Sequence, residues 1–387
     1  MTIDWNKHHC LGDLTVEAFL QDYWQQKPLL VRSAFPDLVS PISAEELAGL
    51  ACEEGVNARL VLEQGEDRAW QAEFAPIAEE RFTELPDSNW SLLVSDIERH
   101  IPEAAFLLKP FHFIPDWRID DLMVSYAPPG GSVGPHTDEY DVFLIQLSGQ
   151  RLWKISEHYD NETLTDTDLC VLKHFEAENE WLLKPGDLLY LPPRVAHHGI
   201  AQDAGGEHCL TASVGFRAPS LKNMTADYVG YLNEHLHGTQ RYRDENPVVA
   251  EHHAQITEQT AARFRDYLQQ ALDTSPALII DWLGRFCSNN SAFEDNMPEN
   301  ENLTYEQLQT RAKQQGLQRS PWSNFLFYED GGQTLLFVDG ESYRVSPAFA
   351  RALCNDVNIA DNAVQTTDPN EQACLLSLYS SGALLLG

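Results

Sequence analysis

The feature that most constrains the fold is a series of short apolar segments between Arg118 and residue 217. Turns rich in glycine and proline separate these segments: PPGG (128–131), LSGQ (147–150), KPGD (184–187), LPPR (191–194) and DAGG (203–206). Turns at these intervals divide the chain into many short strands, a pattern typical of an antiparallel barrel or sandwich. Upstream, LTVEAFLQDYWQQKP (14–28) has apolar residues at helical spacing, and Ser43 with Glu46 fits a capping box that opens a second helix.

At 387 residues the chain exceeds what one hydrophobic core usually supports, so we expect two or three domains. Residues 1–217, which contain these short strands, form the first predicted domain. Residues 218–288 contain two amphipathic helices with apolar residues at helical spacing and no catalytic candidates, so we predict a helical dimerisation region. The apolar positions of the two helices are Tyr228, Tyr231 and Leu232, and then Phe264, Tyr267, Leu268, Ala271 and Leu272.

Residues 289–387 are predicted to hold a linker and a small winged-helix-like domain. The polar stretch CSNNSAFEDNMPENENLT (287–304) reads as the linker. A helix from Tyr305 to Gln315 follows, and then a pair of β-hairpins over residues 325–346 with DGG and DGE turns. This last domain is not basic, so reading of DNA is not expected.

The charge balance is strongly acidic, with 26 Lys and Arg against 59 Asp and Glu, a net charge of −33. A field of this sign repels nucleic acid and attracts basic partners, so we expect no direct nucleic-acid binding. No apolar run approaches the roughly 20 residues that span a bilayer, so no membrane association is expected. The seven cysteines are scattered without a CxxC pair, which favours a reducing compartment and a cytoplasmic location.

His136 and Asp138 lie at the mouth of an apolar strand, in GPHTDEYDVFLIQL. Residues i and i+2 of a strand project from the same face, so both side chains could reach one ion. Two histidines and one carboxylate with open positions form the facial triad of non-haem Fe(II) sites. The adjacent His197 and His198 in KPGDLLYLPPRVAHHG point to opposite faces of an extended chain, so at most one of them completes the set.

These segments together resemble the JmjC class of cupin-fold, 2-oxoglutarate-dependent oxygenases. DDLMVSYAPPGGSVGPHTDEYDVFLIQLSGQRLWKI, in particular, is similar to the bacterial ribosomal oxygenases that hydroxylate an arginine of large-subunit ribosomal protein sixteen. FLQDYWQQKPLLVRSAF (19–35) and SVGFRAPS (213–220) resemble the entry segment and the final barrel strand of that group. The resemblance implies an α+β fold: a double-stranded β-helix barrel of the cupin/JmjC type, a helical dimerisation region and a C-terminal winged-helix-like domain.

The resemblance also implies the ligands and the activity. His136, Asp138 and His197 match the metal-binding and catalytic triad, with the first histidine of the pair as the ligand. The implied cofactor is Fe(II), and the implied cosubstrates are 2-oxoglutarate and O2. Arg151 falls where the family anchors the distal carboxylate of 2-oxoglutarate, and Ser125 matches a hydroxyl that also contacts this cosubstrate. The expected enzyme is a dioxygenase, with residues 1–217 as its catalytic domain, that hydroxylates an arginine side chain of a basic large-subunit ribosomal protein.

Strand alternation indicates which residues could form a substrate pocket. If Ser125 faces the barrel interior, Asp121 and Met123 share its face, as do His136, Asp138 and Tyr140 on the next strand. Asp121 could pair with a substrate guanidinium while Met123 and Tyr140 flank its aliphatic part. Ser213 in the last strand is a further polar candidate for substrate binding.

Three alternatives stay open at this point. Relatives with similar motifs modify a histidine of another ribosomal protein instead of an arginine. Other cupins are metal isomerases or non-catalytic metal- or effector-binding modules, which typically use more histidines and lack the distal arginine. A third alternative is a scaffold in which the acidic helices and the last domain bind a basic partner.

Overall fold

The computed structural model describes residues 10–63, 70–236, 238, 241–243, 249, 251–272, 275–289 and 300–387. The chain divides into two compact units, Met1–Ala218 and Pro219–Gly387. Within the described ranges, no helix is both long enough and apolar enough to cross a membrane.

The first unit is built mainly from short strands, as the turn pattern predicts. Its strands are β1 (Leu29–Val31), β2 (Ala58–Leu62), β3 (Gln71–Phe74), β4 (Trp90–Val94), β5 (Ile119–Ala127), β6 (Asp141–Ser148), β7 (Gln150–Ser156), β8 (Asn179–Leu183), β9 (Leu188–Leu191), β10 (Ala196–Gln202) and β11 (Cys209–Phe216). Its helices are α1 (Val16–Asp22), α2 (Ala44–Ala51), α3 (Glu79–Thr83) and α4 (Ile97–His100).

The strands form two antiparallel sheets. The large sheet has the order β1-β9-β6-β11-β5-β4-β2-β3, and the small sheet has the order β10-β7-β8. Apolar side chains of both sheets pack in one buried cluster that includes Leu144, Leu189 and Trp153, so the sheets face each other. They do not close into a single ring of hydrogen-bonded strands in the described chain; the arrangement is the two-sheet double-stranded β-helix of the expected α+β fold.

The N-terminal helices cover the outer face of the large sheet. Phe19 of α1 is fully buried and its ring lies 5.0 Å from that of Tyr190 and 5.7 Å from that of Phe143. The predicted capping box is present at the start of α2, where Ser43 and Glu46 exchange side-chain and backbone hydrogen bonds. The outer face of the large sheet is therefore covered by apolar packing, and its inner face is left to carry functional side chains.

Helix α1 is shorter than the sequence pattern indicates. It ends at Asp22, and Gln25 adopts a left-handed conformation with φ of 58°. The backbone N–H of Gln25 donates to the hydroxyl of Tyr190 at 2.7 Å. A tertiary contact with β9 therefore replaces the last helical turn that local spacing favoured.

The second unit combines helices with a three-stranded sheet and a two-stranded pair. Its helices are α5 (Leu221–His235), α6 (Glu258–Leu272), α7 (Pro276–Ser288), α8 (Tyr305–Gln315), α9 (Pro347–Asn355), α10 (Asp361–Val364) and α11 (Pro369–Ser380). Its strands are β12 (Leu317–Arg319), β13 (Phe325–Asp330), β14 (Gln333–Val338), β15 (Glu341–Arg344) and β16 (Leu384–Leu386). The antiparallel meander β13-β14-β15 lies at the predicted hairpins, and α8 has the predicted bounds.

Helix α7 was not assigned from the sequence, and it packs against the meander. Gly284 allows this contact, because a Cβ there would lie 2.3 Å from the ring of Phe337. Arg285 donates to the carbonyl of Gly340 at 2.9 Å and to the hydroxyl of Ser342 at 2.8 Å. Most of the predicted linker, residues 290–299, lies outside the described residues.

The predicted dimerisation helices differ in how well they are buried. Leu232 of α5 is buried, and Tyr231 donates to Asp281 of α7 at 2.7 Å. Helix α6 buries no residue, and Phe264, Leu268 and Leu272 on it are between 43% and 62% exposed. Phe264 stacks on Tyr242, with ring centroids 4.6 Å apart, and the apolar stripe on α6 otherwise remains partly exposed in the described part of the chain.

Candidate metal centre and active site

His136 and His197 are brought together by a backbone bridge. His136 precedes β6 of the large sheet, and His197 belongs to β10 of the small sheet. The N–H of His136 donates to the carbonyl of His197 at 3.0 Å, and the reverse hydrogen bond measures 2.9 Å. The backbone itself therefore fixes the separation of the two imidazoles across the two sheets.

Asp138 completes a compact group of three ligand atoms. Its Oδ2 lies 4.0 Å from Nε2 of His136 and 3.5 Å from Nε2 of His197. The ligand atoms of the three residues all lie within 4.8 Å of one another. Two imidazoles and one carboxylate at this spacing fit the donor set of a non-haem Fe(II) site with open coordination positions.

The hydrogen bond made by Nδ1 of each imidazole determines which of its two nitrogens carries the proton. Nδ1 of His136 lies 2.9 Å from the carbonyl of Gly134, and Nδ1 of His197 lies 2.9 Å from the carbonyl of Val195. A carbonyl oxygen can only accept, so each Nδ1 carries the proton and each Nε2 presents a lone pair. Burial and the neighbouring His136 also lower the pKa of His197, which keeps that ring neutral.

His198 is separated from this group, as strand alternation predicts. Its ring contacts Phe175, with the ring centroids 6.2 Å apart, and burial lowers its pKa to about 4. Because neighbouring residues of β10 point to opposite sides, only His197 reaches Asp138.

Gly134 is required just before the first histidine. It has φ of +80°, and a Cβ there would lie 2.9 Å from both methyl groups of Val171 and 3.2 Å from Trp70. Its carbonyl accepts the hydrogen bond from His136. A larger residue would push the loop away from Val171 and disturb the orientation of His136.

Arg151 lies on β7 with an unusual buried guanidinium. The residue is 4% exposed, and its Nε and Nη2 have no hydrogen-bond partner within the described chain. Buried polar groups are almost always satisfied in native proteins, so these two unpaired guanidinium nitrogens indicate a ligand that supplies an acceptor. A carboxylate matches the planar donor geometry of arginine.

Ser125 belongs to a polar strip on the inner face of the large sheet. Its hydroxyl donates to the carbonyl of Thr211 at 3.4 Å, and the hydroxyl of Thr211 donates to Gln146 at 3.1 Å. Polar side chains on β5, β6 and β11 therefore line this face, while the neighbouring Leu122 and Val124 pack in the core on the outer face.

The predicted substrate residues lie on the same inner face. Ser213 of β11 is directly opposite Met123 of β5. A Cβ on Gly215 would lie 3.2 Å from Oδ1 of Asp121 and 3.8 Å from the ring of Tyr140, which places these two side chains beside each other. Burial raises the pKa of Tyr140, and the carboxylates of Asp138 and Asp121 raise it further. Among the substrate candidates, Tyr140 therefore lies beside both Asp121 and the metal-ligand candidate Asp138.

Two acidic residues near Asp121 were not foreseen. Asp96 and Glu98 both interact with Asp121, and Glu98 accepts a hydrogen bond from the N–H of Leu122 at 3.2 Å. Burial raises the pKa of Asp121 to about 6 and that of Glu98 to about 7. Nothing in the local sequence around α4 signals this contact, because it depends on how α4 packs on β5.

Trp153 is a third residue near the site for which the sequence predicted no role. Alternation along β7 puts it on the same face as Arg151, and this spacing was the available signal. Its ring centroid lies 5.8 Å from that of His197, and the guanidinium carbon of Arg151 lies 5.9 Å from the ring.

Comparison with known proteins agrees with this arrangement. Residues 106–224 match the model of the JmjC domain. The chain is 38% identical over 274 residues to the ribosomal protein uL16 3-hydroxylase of Escherichia coli, covering 70% of this chain and 71% of that protein. It is 43% identical over 220 residues to a probable ribosomal oxygenase of Haemophilus influenzae, covering 56% of this chain and 53% of the relative.

Solved structures extend the similarity to nearly the whole chain. The crystal structure of the E. coli ribosomal oxygenase YcfD matches with a TM-score of 0.83 and 31% identity, over 97% of this chain and 98% of that chain. YcfD in complex with cobalt and 2-oxoglutarate matches with a TM-score of 0.81 and 31% identity, over 96% and 98%. The chain therefore belongs to the JmjC-domain ribosomal oxygenases.

Proposed function

We propose that this protein is an Fe(II)- and 2-oxoglutarate-dependent dioxygenase that hydroxylates an arginine side chain of a large-subunit ribosomal protein. The observation that carries the proposal is the triad of His136, Asp138 and His197 in one interior with the buried Arg151, whose Nε and Nη2 have no partner among the described residues. The E. coli relative named as a uL16 3-hydroxylase and the YcfD complex with cobalt and 2-oxoglutarate support it.

In this proposal the triad holds Fe(II) and leaves three coordination positions for other ligands. Bound iron, together with 2-oxoglutarate and O2, supplies the oxidation that converts an unactivated C–H bond to C–OH. Asp138 provides the negative charge of the donor set. The carbonyl groups of Gly134 and Val195 hold the two imidazoles in the tautomer that binds metal.

Arg151 and Ser125 are proposed to bind 2-oxoglutarate. The guanidinium would pair with the distal carboxylate, and burial strengthens this pair because little water competes for either group. Ser125, on the facing sheet, offers a hydroxyl to the same interior.

Asp121, Met123, Tyr140 and Ser213 are proposed to bind the target side chain. The carboxylate of Asp121 suits the guanidinium of arginine, which stays charged at all relevant pH values. Met123 and the ring of Tyr140 can pack along the aliphatic part of the arginine. The acidic surroundings of Asp121 favour a cationic side chain over a neutral imidazole, which is the reason for preferring arginine to histidine.

The net charge of −33 supports a basic protein partner. An enzyme that held ribosomal RNA would itself need a basic surface, so we propose that the substrate is the free basic protein, or an exposed loop of it. Such a substrate implies action in the cytoplasm, in keeping with seven cysteines that form no disulfide.

Mass spectrometry of the purified ribosomal protein after incubation with enzyme, Fe(II), 2-oxoglutarate and O2 tests the proposal. We expect one arginine to gain an oxygen atom. His197→Ala should abolish the reaction, whereas His198→Ala should retain it, because only His197 reaches Asp138. Oxygen gained on a histidine would change the assigned target, and full activity of His197→Ala would contradict the assigned metal site.

Asp121→Ala tests the substrate pocket separately. We expect this variant to lose arginine hydroxylation while it still binds metal and 2-oxoglutarate. Asp120→Ala is the matched control, because Asp120 is exposed and pairs with Arg217 at 3.2 Å. Equal loss in both variants would argue that general charge, and not the pocket, binds the substrate.

A further inference from the structure

The indole of Trp153 occupies a defined position between two functional groups. Trp153 lies on β7, directly opposite Gly199 of β10 and Trp181 of β8. A Cβ on Gly199 would lie 2.7 Å from Cη2 and Cζ3 of the indole and 3.0 Å from Cε3. The six-membered ring of the indole therefore covers Gly199.

The ring also lies beside the proposed metal ligand and the proposed anchor. The centroid of the indole is 5.8 Å from that of His197, and the guanidinium carbon of Arg151 is 5.9 Å from the ring. A molecule that reached from the triad to Arg151 would pass next to Trp153. Trp153 thus borders the space that the proposed function gives to 2-oxoglutarate.

The indole N–H is buried without a partner. Trp153 is 5% exposed, and its Nε1 has no hydrogen-bond partner in the described part of the protein. The same is true of Nε and Nη2 of the adjacent Arg151. Burying an unsatisfied donor is costly, and three such donor nitrogens on neighbouring side chains of one strand indicate a shared acceptor.

We propose that Trp153 is a cosubstrate-binding residue whose indole N–H donates to the carboxylate of 2-oxoglutarate that Arg151 binds. This inference rests on the proposed function. An ionised carboxylate has two oxygens and several lone pairs, so it can accept from a guanidinium and an indole together. The indole N–H can only donate, so it needs an acceptor on the ligand. A 2-oxo acid with a second carboxylate supplies this acceptor, and one without it does not.

Binding of 2-oxoglutarate to the Zn(II)-loaded protein, in which no turnover occurs, tests this role. Trp153→Phe keeps an aromatic ring over Gly199 and removes the N–H. We expect its affinity for 2-oxoglutarate to fall by about tenfold or more, as for loss of a hydrogen bond to a charged group. Trp181→Phe is the control, and it should bind 2-oxoglutarate as the unaltered protein does.

A double-mutant cycle tests whether both residues reach the same carboxylate. If they do, Trp153→Phe should have much less effect in an Arg151→Gln background than in the unaltered protein. Independent, additive losses would overturn the inference. Failure of the unaltered protein to bind 2-oxoglutarate would instead contradict the proposed function, whereas normal binding by Trp153→Phe would contradict this inference alone.

A measurement on the unaltered protein covers the case in which Trp153→Phe does not fold. With the indole nitrogens labelled, one indole N–H resonance should shift on addition of 2-oxoglutarate to the Zn(II)-loaded protein. The same resonance should not shift on addition of 2-oxobutanoate, which lacks the second carboxylate. If no indole resonance responds to 2-oxoglutarate, Trp153 does not bind it.

Discussion

At the scale of single residues, the buried guanidinium of Arg151 gives the most direct prediction about binding of 2-oxoglutarate. Arg151→Ala should chiefly raise the 2-oxoglutarate concentration needed for half-maximal turnover, because it removes a charge-assisted pair and leaves the triad intact. Steady-state kinetics with varied 2-oxoglutarate would measure this effect. Lys154→Ala is a suitable control, since Lys154 pairs with Glu180 at 3.2 Å. An unchanged requirement would contradict the role of Arg151.

Glu98 leads to a prediction about stability and pH. Burial raises its pKa from 4.5 to about 7, so the folded protein holds this proton more tightly than the unfolded chain does. The contribution of Glu98 to stability is therefore fully present below about pH 4.5 and is lost as the pH rises through about 7, a change on the order of 3 kcal/mol. Glu98→Gln should flatten this decline in urea unfolding at several pH values, whereas Glu103→Gln, at an exposed site, should not. The same slope in Glu98→Gln and the unaltered protein would count against the burial argument.

At the scale of elements, the sequence predicted strands and their faces better than contacts between elements. Alternation correctly placed Met123 and Ser125 on the inner face, because strand periodicity is local. It could not show that α4 brings Glu98 beside Asp121, or that a contact with Tyr190 ends α1 early. These features depend on packing between distant segments, and spacing along one segment contains no information about them.

Helix α6 carries the prediction of a dimer. Its exposed stripe of Phe264, Leu268 and Leu272 would be covered by a second copy of the chain, and covering it would remove apolar surface from water. We expect a dimer by light scattering at micromolar concentration. Leu268→Glu should shift it toward monomer, while Gln269→Glu adds the same charge outside the stripe and should not. A monomeric unaltered protein would refute this prediction.

At the scale of the whole molecule, charge determines the expected response to salt. With a net charge of −33, association with a basic substrate should be fast at low salt and slow as salt screens the field over a Debye length of about 10 Å at 0.1 M. Hydroxylation rates of the free ribosomal protein at increasing salt would measure this, with 2-oxoglutarate binding as a control. Intact ribosomes proving the better substrate would contradict the charge argument.

The position of β11 has a consequence for synthesis on the ribosome. It is the last strand of the first unit, yet it lies between β5 and β6 in the middle of the large sheet. Until residues 209–216 leave the exit tunnel, β5 and β6 each lack a neighbour and expose an unpaired edge. The large sheet of the nascent unit therefore cannot form completely before its final strand is available. A chain truncated before β11 would expose two unpaired strand edges that favour aggregation, and it would lack the complete first unit.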